Sequence, residues 1–150
     1  MNLILWRHAE AEEGCNDLAR QLTAKGHKQA SQMAHWLREH LPTDHLVIAS
    51  EAARSQQTAQ ALTDRQVIRP EINPGEPAQS LLALCGQHHA GETLVIVGHQ
   101  PTLGRAAAWL LTGHEQDWSV KKSAIWWLAT RARFGERQTI LKAVLGPDQL

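Results

Sequence analysis

Two histidines and two arginines follow closely on three short apolar runs of the sequence: Arg7, His8, Arg54 and His99. The runs occupy residues 2–6, 45–49 and 93–97, as expected of strands that are buried on both faces. In an open α/β sheet, ligands bind beyond the carboxyl ends of the strands. We therefore expect the four side chains to meet at one edge of a sheet, although they are distant in the sequence.

Groups that are or can become cationic repel one another, so this convergence predicts an anion between them. A phosphoryl dianion offsets the repulsion and accepts paired hydrogen bonds from guanidinium groups. A neutral imidazole beside the phosphorus atom can attack it and form a covalent phosphohistidine, which divides the transfer into two steps. Phosphoryl transfer otherwise depends mostly on positioning and charge stabilisation. The sequence has neither an Asp-rich metal motif nor a Gly-rich phosphate loop, so we expect a pocket that needs no metal and no cofactor.

The elements that position these residues alternate along the chain. A weak strand at 67–68 joins the three runs above, and four helices are expected: 24–41, 51–62, 78–88 and 101–113. Thr23 and Ser50 are expected to cap the first two helices, and Pro101 to begin the last. Residues 123–130 and 138–145 are expected to form a hairpin that turns around Gly135.

This alternation predicts the fold class. Strands separated by helices imply right-handed crossovers and a mainly parallel sheet that is covered by helices on both faces. The final hairpin adds an antiparallel edge. We therefore expect a three-layer α/β sandwich, and the length of 150 residues fits one domain that spans residues 1–150.

Composition excludes several classes of protein. Fifteen basic and fifteen acidic residues give a formal net charge of zero, which argues against broad nucleic-acid binding or a polybasic membrane anchor. No apolar stretch approaches the roughly 20 residues of a membrane-spanning helix. Cys15 and Cys85 are too few for a disulfide framework or a zinc cluster. We expect a soluble, monomeric, cytoplasmic protein that binds neither nucleic acid nor membranes.

Four segments resemble motifs of the histidine phosphatase superfamily, which also includes the cofactor-dependent phosphoglycerate mutases. Residues 5–9, Leu-Trp-Arg-His-Ala, resemble the Arg-His-Gly motif, and residues 49–59 are similar to Ser-Pro-x-x-Arg-Ala-x-Gln-Thr-Ala. Residues 97–101 match the second-histidine segment, and residues 22–30 resemble Leu-Thr-x-x-Gly-x-x-Gln-Ala. The motifs occur in the family's order. Within the family, the short chain with Ala at position 9 looks most like the SixA-type phosphohistidine phosphatases.

The resemblance implies a metal-independent phosphatase and a role for each matching residue. His8 would be the nucleophile, Arg7 and Arg54 would bind phosphate, and a protonated His99 would stabilise the transferring charge. Arg20, close to the Leu-Thr motif, is a further candidate for phosphate binding, and an exposed loop position explains it equally well. The resemblance also suggests a phosphohistidine-bearing protein as substrate, either a phosphotransfer domain in signal transduction or a phosphocarrier.

Two positions depart from the family's motifs. Ala9 replaces Gly, which implies a backbone conformation that tolerates a Cβ. Glu51 replaces Pro and lies three residues before Arg54. Its carboxylate could interact with the N-terminus of the second helix, where the dipole favours acids, or it could pair with Arg54.

The chain has little room for a proton donor to the leaving group. Larger superfamily members carry a carboxylic acid on an inserted loop, whereas here only a short loop, residues 72–77, is available, with Glu76 as the nearest acid. An alkoxide leaves poorly without a proton, but a protonated phosphoimidazole leaves readily, which favours phosphohistidine. The alternatives are a small-molecule phosphomonoesterase or mutase that uses Glu76 or Glu13, and a non-catalytic phosphohistidine-binding module.

Overall fold

Six strands form one mixed sheet in the computed structural model, which describes the backbone of residues 1–150 and every side chain except that of Arg133. The strands lie in the order β3-β2-β4-β1-β5-β6. Their bounds are β1 (Asn2–Arg7), β2 (Leu46–Ala49), β3 (Val67–Ile68), β4 (Thr93–Gly98), β5 (Ile125–Arg133) and β6 (Glu136–Leu145). Strands β1 to β4 are parallel where they pair, and β5 is antiparallel to both β1 and β6.

Four helices cover the two faces of the sheet: α1 (Ala24–His40), α2 (Ala53–Gln60), α3 (Ala78–Gly86) and α4 (Thr102–Thr112). Alternate residues of β1 contact opposite layers, because successive side chains of a strand point to opposite faces. Leu3 and Leu5 join the core beneath α3 and α4, and Ile4 and Trp6 join the core beneath α1 and α2. The predicted three-layer α/β sandwich with an antiparallel C-terminal edge is confirmed.

The helix ends agree with most of the sequence signals. The Thr23 hydroxyl accepts a hydrogen bond from the Gly26 N–H (3.0 Å) and caps α1 as predicted. Gly113 ends α4 with a φ of 82°, a conformation that glycine adopts without steric cost. The prediction for Ser50 was wrong, because α2 begins only at Ala53 and has no side-chain cap. The Ser50 hydroxyl accepts a hydrogen bond from the Ala52 N–H (3.2 Å), just before α2, and also binds a histidine that follows β4.

The C-terminal hairpin is longer than predicted. Strands β5 and β6 continue to a two-residue link, Phe134 and Gly135, whose φ values of 54° and 78° suit a tight hairpin. Charged residues dominate this end of the ribbon, so the apolar pattern ends before the strands do. Among the described residues, none of the helices combines the length and the apolar composition of a membrane span.

Helix α4 packs so closely against the chain around Trp118 that Gly104 cannot be replaced by a larger residue without a clash. A Cβ at Gly104 would collide with the backbone carbonyl group of Trp118. We expect Gly104→Ala to lower the free energy of unfolding by about 1–3 kcal/mol, since backbone atoms cannot move away cheaply. Gly86→Ala is the matched control, because a Cβ there meets nothing within 4 Å and should leave stability equal or slightly higher. Urea unfolding curves that coincide for the two variants would contradict this packing.

Candidate active site

His8 lies directly after β1 and its backbone is bound on both sides. Its N–H donates to the Gly98 carbonyl oxygen (3.1 Å), and its own carbonyl oxygen accepts from the Ser123 N–H (3.2 Å). Its Nδ1 atom is 2.7 Å from the Ala9 carbonyl oxygen. A carbonyl oxygen only accepts hydrogen bonds, so Nδ1 must carry the proton and Nε2 presents a lone pair. The fold therefore selects the tautomer in which Nε2 can act as a nucleophile.

His99 follows β4 and has a different set of partners. Its Nε2 atom is 2.7 Å from the Ser50 hydroxyl oxygen and 3.0 Å from the Ser55 hydroxyl oxygen. A hydroxyl can donate or accept, so this pair can accommodate Nε2 with or without a proton. Among the side chains that the structure describes, none hydrogen-bonds to Nδ1 of His99. That nitrogen is the one available to a ligand.

Arg54 joins the two histidines. The imidazole centroids of His8 and His99 are 5.1 Å apart, and Nε of Arg54 donates to Nε2 of His8 at 3.3 Å. The Arg54 side chain is only 5% exposed. Its two Nη atoms donate to the carbonyl oxygen and to the carboxylate of Asp17, at 2.6 and 3.1 Å. These contacts hold the guanidinium group beside the proposed nucleophile.

The two remaining candidate arginines, Arg7 and Arg20, form no hydrogen bond with the imidazole of His8 or of His99. Nη1 of Arg7 donates to the Val120 carbonyl oxygen (2.9 Å), whereas its buried Nε has no hydrogen-bond partner within the described part of the chain. Arg20 donates to the Glu12 carbonyl oxygen (2.7 Å) and to the Asp17 carboxylate (3.1 Å). Arg20 thus shares Asp17 with Arg54, and its binding of phosphate stays a prediction.

Burial and neighbouring cations keep both imidazoles neutral. Desolvation lowers the pKa of His8 to about 4, and the charges of Arg54 and Arg7 act in the same direction. Desolvation lowers the pKa of His99 to about 3, again with help from nearby positive groups. The imidazole of His99 is therefore neutral in the protein on its own, and its protonation during phosphoryl transfer stays a prediction. A bound phosphoryl anion would oppose the repulsion and favour protonation.

The carboxyl group of Asp17 has the opposite shift. Although desolvation acts to raise its pKa, the hydrogen bonds from Arg20 and Arg54 lower the pKa overall. Asp17 is therefore ionised at neutral pH and compensates part of the positive charge around the imidazoles.

The structure shows the roles of Ala9 and Glu51, the two residues that depart from the motifs. Ala9 has an ordinary negative φ, as expected, and its N–H donates to the Thr58 hydroxyl (3.0 Å). Both expectations for Glu51 were wrong. Its N–H and its carboxylate bind the side chain of Asn73, at 2.9 and 2.8 Å, because α2 starts two residues later and Arg54 is already paired with Asp17.

Sequence reasoning missed four polar residues of the site: Asp17, Ser50 as a histidine partner, Ser55 and Thr58. The residues on α2 share one buried face with Arg54, and a helical spacing of buried polar residues could have indicated them. Asp17 begins a single 3₁₀ turn (Asp17–Ala19) in a polar stretch without a periodic pattern, so nothing pointed to it. Glu13 and Glu76 are exposed, and no carboxylate among the described side chains hydrogen-bonds to either imidazole.

No group of three or more His, Cys, Asp or Glu side chains that could hold a metal ion occurs among the described residues. The candidate active site instead combines several hydrogen-bond donors with two neutral imidazoles. Such a set suits an oxyanion with several acceptor oxygens.

The neutral imidazoles make stability depend on pH. An unfolded histidine has a pKa near 6.5, so between about pH 6.5 and 4 the unfolded chain binds more protons than the folded one. We expect the free energy of unfolding to fall as the pH is lowered through this range, with His8 alone contributing on the order of 1–3 kcal/mol. Urea unfolding at pH 7.5, 6 and 5 measures the slope, and His8→Gln should reduce it. An imidazole of His8 or His99 that titrates near 6.5 by NMR would refute the expectation.

Comparisons with known proteins agree with this site and fold. Residues 3–75 match the family model of the histidine phosphatase superfamily (branch 1). A phosphohistidine phosphatase SixA homolog from Haemophilus influenzae is 31% identical, and the match covers 72% of this chain and 76% of that protein. The SixA structure from Nakamurella multipartitia is 28% identical, with a TM-score of 0.79 and coverage of 97% and 95%.

Two further structures share the fold at lower identity. The protein histidine phosphatase SixA complexed with tungstate has a TM-score of 0.81 at 22% identity, and the match covers 99% of each chain. The α-ribazole phosphatase from Shigella flexneri has a TM-score of 0.74 at 19% identity, over 98% and 97% of the two chains. From the match to the Haemophilus influenzae protein and the family model together, we conclude that this chain is a phosphatase and belongs to the histidine phosphatase superfamily.

Proposed function

We propose that the protein removes phosphoryl groups from histidine residues of other proteins, through a covalent intermediate on His8. The observation that carries this proposal is the state of the His8 Nε2 atom. The bond from Nδ1 to Ala9 leaves Nε2 unprotonated, and the Nε atom of Arg54 lies 3.3 Å from it. The pKa of about 4 keeps this nucleophile neutral at physiological pH.

In the first step, Nε2 of His8 attacks the phosphorus atom while the P–N bond to the substrate histidine breaks. The electron pair of that bond stays on the substrate imidazole, whose other nitrogen carries a proton, so a neutral ring departs. Arg7, Arg54 and His99 bind the three peripheral oxygens and stabilise their charge. The buried, unpartnered Nε of Arg7 and the available Nδ1 of His99 support these assignments.

In the second step, water hydrolyses the phosphorylated enzyme. The phosphorylated His8 ring is cationic, because Nδ1 keeps its proton against the Ala9 carbonyl oxygen. Water attacks the phosphorus atom, the P–N bond breaks, and its electron pair restores the neutral imidazole. The water gives up one proton to solvent, and inorganic phosphate leaves. The protein ends in the state in which it began, as a catalyst must.

The leaving group decides between substrate classes. An imidazole leaves as a neutral ring, whereas an alkoxide needs a proton that a dedicated acid would supply, at a gain of roughly 10²–10⁴-fold. Glu13 and Glu76, the acids proposed for the alternative phosphomonoesterase, are exposed and bind neither imidazole. The name of the Haemophilus influenzae relative supports the same substrate class.

Further parts of the proposal rest on the sequence and the site together. The substrate would be a phosphotransfer domain or a phosphocarrier protein. The enzyme would work in the cytoplasm as a monomer, one domain over residues 1–150, and would need neither metal nor cofactor.

Loss of the nucleophile gives a direct test of the covalent step. We expect His8→Ala to reduce phosphate release from a phosphohistidine protein by about 10³-fold or more. Wild-type protein quenched during turnover with ³²P-labelled substrate should carry an acid-labile label, and His8→Ala should not. His114→Ala, an exposed histidine after α4, is the control and should behave as wild type. Near-normal turnover of His8→Ala would refute the mechanism. A wild-type protein that binds the phosphohistidine protein without releasing phosphate would be a non-catalytic binding module.

Relative rates on two substrate classes test the choice of leaving group. We expect kcat/KM to be at least about 10²-fold higher for a phosphohistidine protein than for sugar, glycerate or serine phosphates. Glu13→Gln and Glu76→Gln should leave both rates unchanged, because neither acid has a role in the proposed reaction. A preference for phosphomonoesters that disappears in one of these variants would support the small-molecule phosphatase instead.

A further inference from the structure

A tight turn beside the site is bound directly to the backbone of Arg7 and His8. The Ala124 N–H donates to the Lys121 carbonyl oxygen (3.0 Å) and closes the turn. The Ser123 N–H donates to the His8 carbonyl oxygen, and the Ala124 carbonyl oxygen accepts from the Arg7 N–H (3.1 Å). The position of this turn is therefore fixed relative to the proposed nucleophile.

Ser123 adopts a backbone conformation that side chains disfavour. Its φ is 59°, in the left-handed region where glycine is the usual residue. The residue is fully buried, and the indole N–H of Trp6 donates to its carbonyl oxygen (3.1 Å) and its hydroxyl oxygen (3.3 Å). Strained conformations persist where the surroundings fix them, and they concentrate at functional sites. The hydrogen bonds that hold Ser123 in this conformation also fix the backbone position of the two preceding lysines.

These lysines line a recess that also contains Arg7. The recess has a volume of about 360 Å³ and is lined by Arg7, Gln29, Lys121, Lys122, Pro147 and Asp148. Arg7 is thus common to the recess and to the site that contains His8. An anion in the recess would lie next to a phosphoryl group bound at the site.

The charge of the recess is positive. Three cations face one acid, and the pair between Nζ of Lys121 and Asp148 is long, at 3.8 Å. Both side chains of that pair are more than half exposed, so solvent weakens their interaction. The lysines therefore remain attractive to a further carboxylate.

We propose that this recess binds an acidic side chain of the substrate protein, one that flanks its phosphohistidine, and so contributes to substrate selection. The inference rests on the proposed function. A protein surface fits better than a small molecule, because small-ligand pockets enclose most of their ligand whereas Lys121 and Lys122 are exposed. Charges at the rim of an interface also steer the encounter of two proteins.

Matched peptides and charge-reversed variants test this inference. Two phosphohistidine peptides differ only at the flanking residues, which are glutamate in one and glutamine in the other. We expect wild-type kcat/KM to be roughly tenfold higher for the glutamate peptide at low salt, and the preference to shrink as salt screens the charges. The double variant K121E/K122E should abolish or reverse the preference. Its turnover of inorganic phosphoramidate, which has no flanking acid, measures the general effect of the new charges on phosphoryl binding, so the preference is taken as the ratio of the two peptide rates within each variant.

A control variant carries the same change of charge elsewhere. R131E/R137E alters the far end of the β5–β6 ribbon, away from His8, and should keep the wild-type preference. K121Q/K122Q removes the positive charges without placing a new acid beside Asp148. It replaces K121E/K122E in the peptide comparison if the charge reversal impairs folding. Thermal unfolding of each variant verifies the fold.

The possible results separate the two proposals. Equal wild-type rates on the two peptides, or an unchanged preference in K121E/K122E and K121Q/K122Q, would overturn the inference and leave the proposed function intact. A wild-type protein that hydrolyses phosphoramidate but no phosphohistidine peptide or protein would overturn both. Phosphoserine, a small molecule with its own carboxylate, is tested as a further substrate. If K121E/K122E and K121Q/K122Q lose activity only on phosphoserine, the recess binds small anions and the inference is overturned.

Discussion

The site must hold several groups of like charge together where little water can screen them. The structure meets this constraint mainly by keeping the imidazoles of His8 and His99 neutral, and only partly by adding acids. Asp17 balances Arg54 from one side, and a backbone carbonyl oxygen takes a hydrogen bond from Arg7. More carboxylates would stabilise the folded protein further, but they would also repel a phosphoryl anion. The observed balance keeps the pocket attractive to an anion at the expense of some stability at low pH.

The central strands give this arrangement its precision. Arg7 ends β1 and His8 follows it directly. Because β1 lies between β4 and β5, residues on both sides bind the backbone of this pair. The His8 N–H binds Gly98, the last residue of β4, and its carbonyl oxygen binds the turn before β5. Because His99 also follows β4, the sheet register alone brings the two imidazoles close. A mobile loop could not hold two rings 5.1 Å apart in a fixed orientation.

The sequence was enough to predict which strand ends would meet, but not how their side chains would be held. His8, Arg54 and His99 follow three short apolar runs, whose burial dictates the topology. Ser50 was predicted to cap a helix because serine is a common residue at that position. Its bond to His99 was missed because His99 is distant from it in the sequence. Asp17 and the partner of Glu51 depend on loop geometry, which local patterns do not encode. The protonation state of His99 depends on burial beside other cations, which only the assembled site determines.

Leaving-group chemistry is the main argument for the proposed substrate class. A small phosphate ester needs a proton donor and walls that enclose it, and both would require an inserted loop. A phosphohistidine on a protein needs neither, because its imidazole departs unaided and the partner's own surface can cover the pocket. A substrate protein must then bring its phosphohistidine to His8 at the carboxyl ends of β1 and β4. Selection must in that case come from groups beside the pocket, and the rigid turn at Lys121 and Lys122 is such a group.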